Sequence, residues 1–466
     1  MHERASLPGT IVSVAVPSRR VAMQGKFVTG SIRRHILLMT GAGAIGLMAI
    51  FAGDLANIYF LSFAADQEVI AAVGYASSIL FFTTSIAIGL SIAATSLVSP
   101  ALGAGLRSRA RRLSTHAHIL SFLTSSLAAF LVWLAIAPVL AMFGASGRTF
   151  DLAAHYLTIL VPTMPMLALG MTSSAVLRSV GDARRAMHIT LSGAIVNTVL
   201  DMFFILHLGW GIEGAAIATS LGRIVVMATG LYAVIGIHRL STPLRLAKLL
   251  ADVPAFAKIA VPAVLTNIAT PVGSAYVTAA IAPFGDGAVA GWAIIGRIIP
   301  VAFGAIYALT GSVGPILGQN LGARLPERMR GTVTQSLIVM CAFTAIAWAL
   351  LAVLAEPLAG AFHTSGDARD LIVLFCRWLS PLFVFLGALF IANATFNTLG
   401  QAHYSSMLNW GRATIGTVPF VLLGAHLNGA AGVLAGNMLG GVVFGIGAIW
   451  LTYRYIAIIS AQIGSA

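Results

Sequence analysis

Twelve mostly apolar stretches follow one another along the chain, over roughly residues 36–63, 69–98, 116–143, 152–177, 187–208, 212–236, 254–283, 288–316, 333–355, 371–398, 404–425 and 429–458. An α-helix needs about 20 such residues to cross the hydrocarbon core of a bilayer. None of the stretches alternates apolar and polar residues as barrel strands do, so each is read as a membrane-spanning helix. Only 9% of the 466 residues are charged and 58% are apolar. Soluble proteins carry about 25% charged residues, and so little polar surface cannot cover so large an apolar one. These figures exclude a soluble enzyme and a disordered chain. Cys341 and Cys376 lie in apolar runs and imply no disulfide framework.

Positive charge sets the expected orientation. The first residues carry Arg4, Arg19, Arg20, Lys26, Arg33 and Arg34, and their longest apolar run, Ile11–Pro17, is too short for a signal peptide. Residues 1–35 are therefore expected to be a flexible basic tail, with Met23 as an alternative start. Together with the loops after spans 2, 4, 6 and 8 and the C-terminal end, this face holds 21 Lys and Arg, against only Arg148 and Arg369 on the other. Both termini are expected in the cytoplasm, and the protein in the plasma membrane. This placement accounts for the net charge of +13 without nucleic acid as a partner. Arg223, Arg297, Arg377 and Arg412 remain inside spans.

The halves repeat each other. Ser99–Gly103 matches Gly314–Gly318, Leu177–Ala183 matches Phe396–Ala402, and Gly214–Ala216 matches Gly432–Leu434, at nearly constant offset. Six spans per repeat make the two repeats parallel, related by an axis along the membrane normal, as in many secondary transporters. The expected fold is all-α and integral to the membrane: twelve transmembrane helices in two parallel six-helix lobes with pseudo-two-fold symmetry. Residues 36–240 form the N-terminal lobe, 241–254 a cytoplasmic linker and 255–466 the C-terminal lobe. Glycine, 48 residues in all, suits close helix packing in lipid.

Of 14 acidic residues, only Asp54 and Asp201 fall well inside apolar helices. A charge at that depth is costly and marks a functional site by default. At 1.5 Å per residue they lie about 27 and 21 Å from the basic end, in spans running the same way. Asn197 precedes Asp201 by one helical turn and shares its face; Asn57 follows Asp54 by three residues. The equivalent positions of the second half are Pro271 and Phe420, so the acid chemistry belongs to one lobe. The competing structural reading is hydrogen bonding to neighbouring helices or pairing with Arg223. Arg297 is a candidate for the central cavity. No Walker motif and no histidine spacing suited to metal appear, so no cofactor, metal or enzymatic role is expected.

The segment Val176–Arg223 resembles the multidrug and toxic compound extrusion (MATE) family. The resemblance rests on Leu177-Arg178-Ser179-Val180-Gly181-Asp182, Asn197-Thr198-Val199-Leu200-Asp201 and Gly211–Thr219, with the patterns at Pro100–Gly105 and Pro315–Gly322. It extends over residues 35–460. It implies antiport, in which a cation enters down its gradient while an organic, often cationic or aromatic, compound leaves. It places Asp54, Asn197, Asp201 and Thr219 in an N-lobe coupling network. Spans 7 and 10 lack the additional acids of the NorM-type branch, so the chain is similar to the DinF-type branch, which implies protons rather than sodium. Met171, Thr172 and Ser173 stand where the family has a span-4 asparagine. Asn57, Tyr59, Met202 and Arg297 are the expected cavity residues. The expected partners are small-molecule substrate, protons or sodium, and membrane lipid, and a monomer is expected. Alternatives are export of an endogenous metabolite or organic acid by the same fold, and a lipid-linked oligosaccharide flippase.

Overall fold

A computed structural model of the chain describes residues 25–64, 67–362 and 364–464. Met1–Gln24, the greater part of the expected tail, lie outside the described residues. The apolar runs become long helices: α1 (Ile32–Ala64), α2 (Gln67–Gly103), α3 (Arg107–Leu134), α4 (Gly147–Val180), α5 (Ala183–His207) and α6 (Gly211–Ile237). α7 (Leu246–Ile281) follows, then α8, built of Asp286–Ala302 and Gly304–Gly322 bent by 51°, α9 (Pro326–Ala361) and α10 (Gly366–Thr398). The remaining helical run, Ala402–Gly464, has non-helical angles at Asn428 and Gly429. The chain doubles back there, giving α11 (402–428) and α12 (429–464) and the twelve expected spans.

Breaks occur where the sequence supplies a cause. Pro300 removes one backbone donor just before the bend of α8. Pro162 sits in a 3₁₀ turn at Val161–Thr163 inside α4. α7 begins within the expected linker, which shortens the non-helical connection to residues 238–245. This connection is tied down: Arg111 donates to the Ser241 carbonyl at 2.7 and 2.9 Å, and Arg112 and His116 hold Asp252 at 3.1 and 2.7 Å. Asp182 caps α5 and accepts from the Arg185 amide and His238. Burial works against its charge, but the bonds from Arg185 and His238 hold its carboxyl below the usual carboxylate range.

α11 and α12 approach through glycine. A Cβ on Gly440 would lie 1.4 Å from the Gly416 oxygen, and one on Gly436 2.2 Å from the Phe420 oxygen. Gly424 and Gly432 exclude each other's Cβ in the same way. Lipid offers no hydrophobic drive for helix association, so close backbone contact supplies the attraction. Gly440→Ala should therefore cost about 1–3 kcal/mol, the usual range for overpacking. Thermal melting of the detergent-solubilised protein checks this against Gly441→Ala, whose added methyl meets nothing within 4 Å.

The lobes meet in a seam. α2 crosses α8 at Gly103 and Gly322, where added Cβ atoms would lie 1.9 Å from the Gln319 and Pro100 oxygens. Thr40 and Ser312 share a hydrogen bond at 3.1 Å. Gly43 faces Ala308, and Gly304 faces Met48. Among the described residues, the interlobe hydrogen bonds and glycine contacts lie in the half nearer the basic loops. The repeated Pro–Gly motif of the two halves thus lands where the lobes touch.

The expectation of a loose tail is corrected for Gly25–His35. Lys26 Nζ donates to the Gly181 carbonyl at 2.7 Å, and the Phe27 amide donates to Gln319 Oε1 at 2.7 Å. Gln319 Nε2 in turn donates to the Ser179 carbonyl at 2.6 Å. Arg328 donates to the carbonyls of Phe27, Thr29 and Gly30. Phe27 is 1% exposed and meets the His35 ring edge-on. The segment is held because it satisfies buried polar groups of both lobes, and it closes the basic end of the seam as a clasp.

Candidate functional site

Beyond the seam, four helices of the N-terminal lobe bring their polar residues together. α1 packs on α5 through small residues: Gly46 faces Thr190, and Gly53 faces Thr198 Oγ1. That approach sets Asp54 and Asn57 of α1 beside α5. Gly222 of α6 lies against the Asn197 side chain and the Gly193 carbonyl, drawing α6 to the same place. Helix periodicity stacks Asn197 one turn before Asp201, and Asn197 Nδ2 donates to Asp201 Oδ2 at 2.9 Å.

Asp201 is fully buried, while Asp54 is exposed. Asn57 and Asp54 of α1 lie close enough to the Asp201 carboxylate to act on its charge. The α-helical part of α5 ends at Asp201 and passes into a π-helical turn, Met202–His207. Such turns recur at functional sites. Asp201 Oδ1 and Asn197 Oδ1 are buried without a hydrogen-bond partner among the described residues. Buried polar atoms seldom stay unsatisfied in a purely structural setting.

Tyr156 of α4 completes the cluster. It is buried near Thr219 of α6 and lies within electrostatic range of Arg223, Asp201 and Asp54. Sequence reasoning missed it, since one tyrosine in an apolar span carries no spacing signal; the nearby break at Pro162 was the only pointer. Arg223 does not pair with either aspartate among the described residues. It donates to the Leu160 carbonyl and Thr163 Oγ1, both at 2.9 Å, meeting acceptors at the 3₁₀ turn of α4. Two carboxylates, two carboxamides, two hydroxyls and a guanidinium thus gather on α1, α4, α5 and α6. The pair of acids is two proton-accepting groups close enough for one to feel the other's charge.

The remaining expected residues are placed as follows. Tyr59 is 60% exposed and Met202 51% exposed, both on helix stretches carrying the acids. Arg297 lies on α8 in the other lobe, exposed and apart from this cluster. At the position of the absent span-4 asparagine, Thr172 donates to Ser121 Oγ at 2.9 Å and Ser173 pairs with His118 at 2.9 Å. Those residues bind α4 to α3.

Comparison with known proteins agrees with this architecture. The chain is 28% identical over 433 residues to a FAD transporter of Shewanella oneidensis, covering 92% of this chain and 96% of that one. It is 21% identical to the multidrug export protein MepA of Staphylococcus aureus, covering 87% and 90%. A mutant of the Vibrio cholerae MATE transporter VcmN superposes with a TM-score of 0.86 at 26% identity, covering 91% and 96%. An outward-facing multidrug resistance MATE transporter superposes with a TM-score of 0.87 at 22% identity, covering 95% of this chain and 100% of that one. The MatE family model matches residues 42–203 and 262–423, one stretch in each half. With twelve spans in two lobes and matches in both halves, the chain belongs to the MatE family and is a multi-pass membrane transporter.

Proposed function

We propose that this transporter is a proton-coupled antiporter that exports organic, aromatic compounds by alternating access, with Asp54 and Asp201 as the groups that load and release protons. The observation that carries this reading is the acid pair itself. Asp201 is wholly buried and held by Asn197, Asp54 is exposed beside it, and both lie on the side of the seam away from the clasp. Asp54 is six residues past Met48, about 9 Å along α1.

The basic end is cytoplasmic in this reading, and the membrane is the plasma membrane. The N-terminal lobe is 36–240, the linker 241–254 and the C-terminal lobe 255–466. The conformation described is then closed to the cytoplasm and open outward. Protons reach Asp54 from outside and pass to Asp201. Neutralising the carboxylates loosens their hold on Asn57 and Asn197, and with them the packing of α1 on α5. Substrate departs outward, and the lobes rock to expose the acids to the cytoplasm. Coupling requires that protons and substrate be mutually unfavourable in one state. Thr219 and Tyr156 transmit the change to α6 and α4. The acid placement fits the DinF-type branch.

A second reading, export of an endogenous metabolite, is supported by the similarity to a FAD transporter over 92% of this chain. Proteoliposomes loaded with either FAD or a fluorescent aromatic cation separate the readings. An imposed proton gradient is expected to drive efflux, and a sodium gradient alone is not. Sodium-driven efflux without a proton requirement overturns the ion assignment, and the compound that moves decides the substrate.

A further inference from the structure

The C-terminal lobe holds an arginine that nothing around it explains. Arg412 lies in the last turn of the helical segment Ala402–Ala413, and the helix resumes only at Val418. Its Nε is buried without a hydrogen-bond partner, and no ion pair involves its guanidinium among the described residues. The other arginines within spans differ. Arg223 is satisfied by α4, Arg377 reaches Glu356 at the far edge, and Arg297 is exposed. A cation at membrane depth without a counter-charge marks a binding site by default. Broken spanning helices are where transporters place such sites.

Arg412 has aromatic neighbours. Asn409 Nδ2 donates to Asn393 Oδ1 at 2.9 Å between the antiparallel helices α11 and α10, and one turn further Arg412 comes opposite Phe390, with Tyr307 of α8 within electrostatic range of its guanidinium. The Tyr307 ring lies 5.4 Å from Phe390 and 6.1 Å from Phe383, and Phe383 stacks on Phe303 at 4.0 Å. Phe303 and Phe383 are fully buried and form a fixed backing. Tyr307, Phe390 and Arg412 are only partly buried, which leaves a charged and aromatic face open. Tyr307 lies three residues from Gly304, where the seam between the lobes ends. Arg412 is eight residues short of Phe420, the position equivalent to Asp201, so the site lies about 12 Å nearer the basic end than the acid pair.

We propose that Arg412, Tyr307 and Phe390 form a subsite for an aromatic organic anion, with Arg412 taking its carboxylate, sulfonate or phosphate and the two rings taking its aromatic part. A guanidinium presents a planar fork of donors that matches such oxyanions. The inference rests on the reading of the chain as an exporter and names its substrate class. The two lobes then divide the work: acids for protons in one, a cation for substrate in the other. Electrical complementarity selects the cargo in the C-terminal lobe without disturbing the acids.

The test is equilibrium binding, by fluorescence polarisation, of two xanthene dyes of opposite charge to the purified full chain in lipid nanodiscs. The dyes are carboxyfluorescein, an anion, and rhodamine 123, a cation. The wild type should bind carboxyfluorescein. Arg412→Gln should weaken that binding at least tenfold and leave rhodamine 123 within twofold. If Arg412→Gln is not monodisperse, Arg412→Lys replaces it, with a three- to tenfold loss for the anion alone. Absence of anion binding by the wild type overturns the proposal, as does an equal effect on both dyes or none on the anion. No gradient enters this measurement, so a failure of proton coupling leaves its result intact. An intact proton-driven efflux with no anion binding removes this inference alone.

Discussion

Proteoliposomes containing Asp201→Asn are expected to show no efflux above background under a proton gradient. Asparagine keeps the shape of aspartate and its capacity to bond Asn197, but its side chain does not take up and release a proton as a carboxylate does. The variant is locked as one protonation state, so the linkage between proton and substrate is lost, and such linkages are worth roughly 5- to 150-fold. Asp54→Asn should have the same effect on driven transport. The two variants should differ in folding. Asp201 is fully buried with a partner at 2.9 Å, so Asp201→Asn rearranges an internal hydrogen bond, whereas Asp54 is exposed and its replacement leaves melting unchanged. Retained proton-driven efflux in both variants, with substrate counterflow intact, would remove the acid pair from the mechanism.

Opening of the basic end is the second large effect. Gln319 is 1% exposed and bridges the lobes by accepting from the Phe27 amide and donating to the Ser179 carbonyl. Gln319→Ala leaves both backbone groups buried and unsatisfied, at about 1–3 kcal/mol each. Since a tenfold change in an equilibrium is about 1.4 kcal/mol, the clasped state should lose roughly tenfold or more in population. Spin labels at Arg184 and Glu327, both exposed on basic-end loops, report the separation of the lobes once Cys341 and Cys376 are replaced by serine. The distance distribution of Gln319→Ala should gain a longer component that the wild type lacks. An unchanged distribution would show that the glycine contacts of α2 and α8 close the seam without the clasp.

Much of this architecture was legible because lipid imposes it on the sequence. Apolar length gave the spans, and the residues that lipid disfavours, Asp54 and Asp201, stood out against their surroundings. The spacing of Asn197 and Asp201 follows from one helical turn, so their bond was legible too. Tyr156 was not, because its neighbours Thr219 and Arg223 are on another helix, and only the approach of α4 to α6 joins them. The clasp was hidden for the same reason. Lys26, Phe27 and Arg328 read as charge and apolarity in loop segments, and only the crossing of α2 over α8 gives them partners. Arg412 was visible as a charge within a span, but its lack of a partner is a property of the packed lobe.

The clasp also sets an order of assembly. The Phe27 amide waits for a partner 292 residues further along the chain. At about 5–20 residues per second, synthesis takes roughly 15–60 s to cover that interval. The first lobe therefore enters the membrane with its N-terminal segment held only through Lys26, and the clasp is completed when α8 and α9 arrive. A ribosome that stalls before Gln319 releases a lobe whose apolar Phe27, its bare amide and the carbonyls of Phe27, Thr29 and Gly30 remain in water. Such a half-made chain carries its own exposed mark for chaperones and proteases, and the finished transporter hides it.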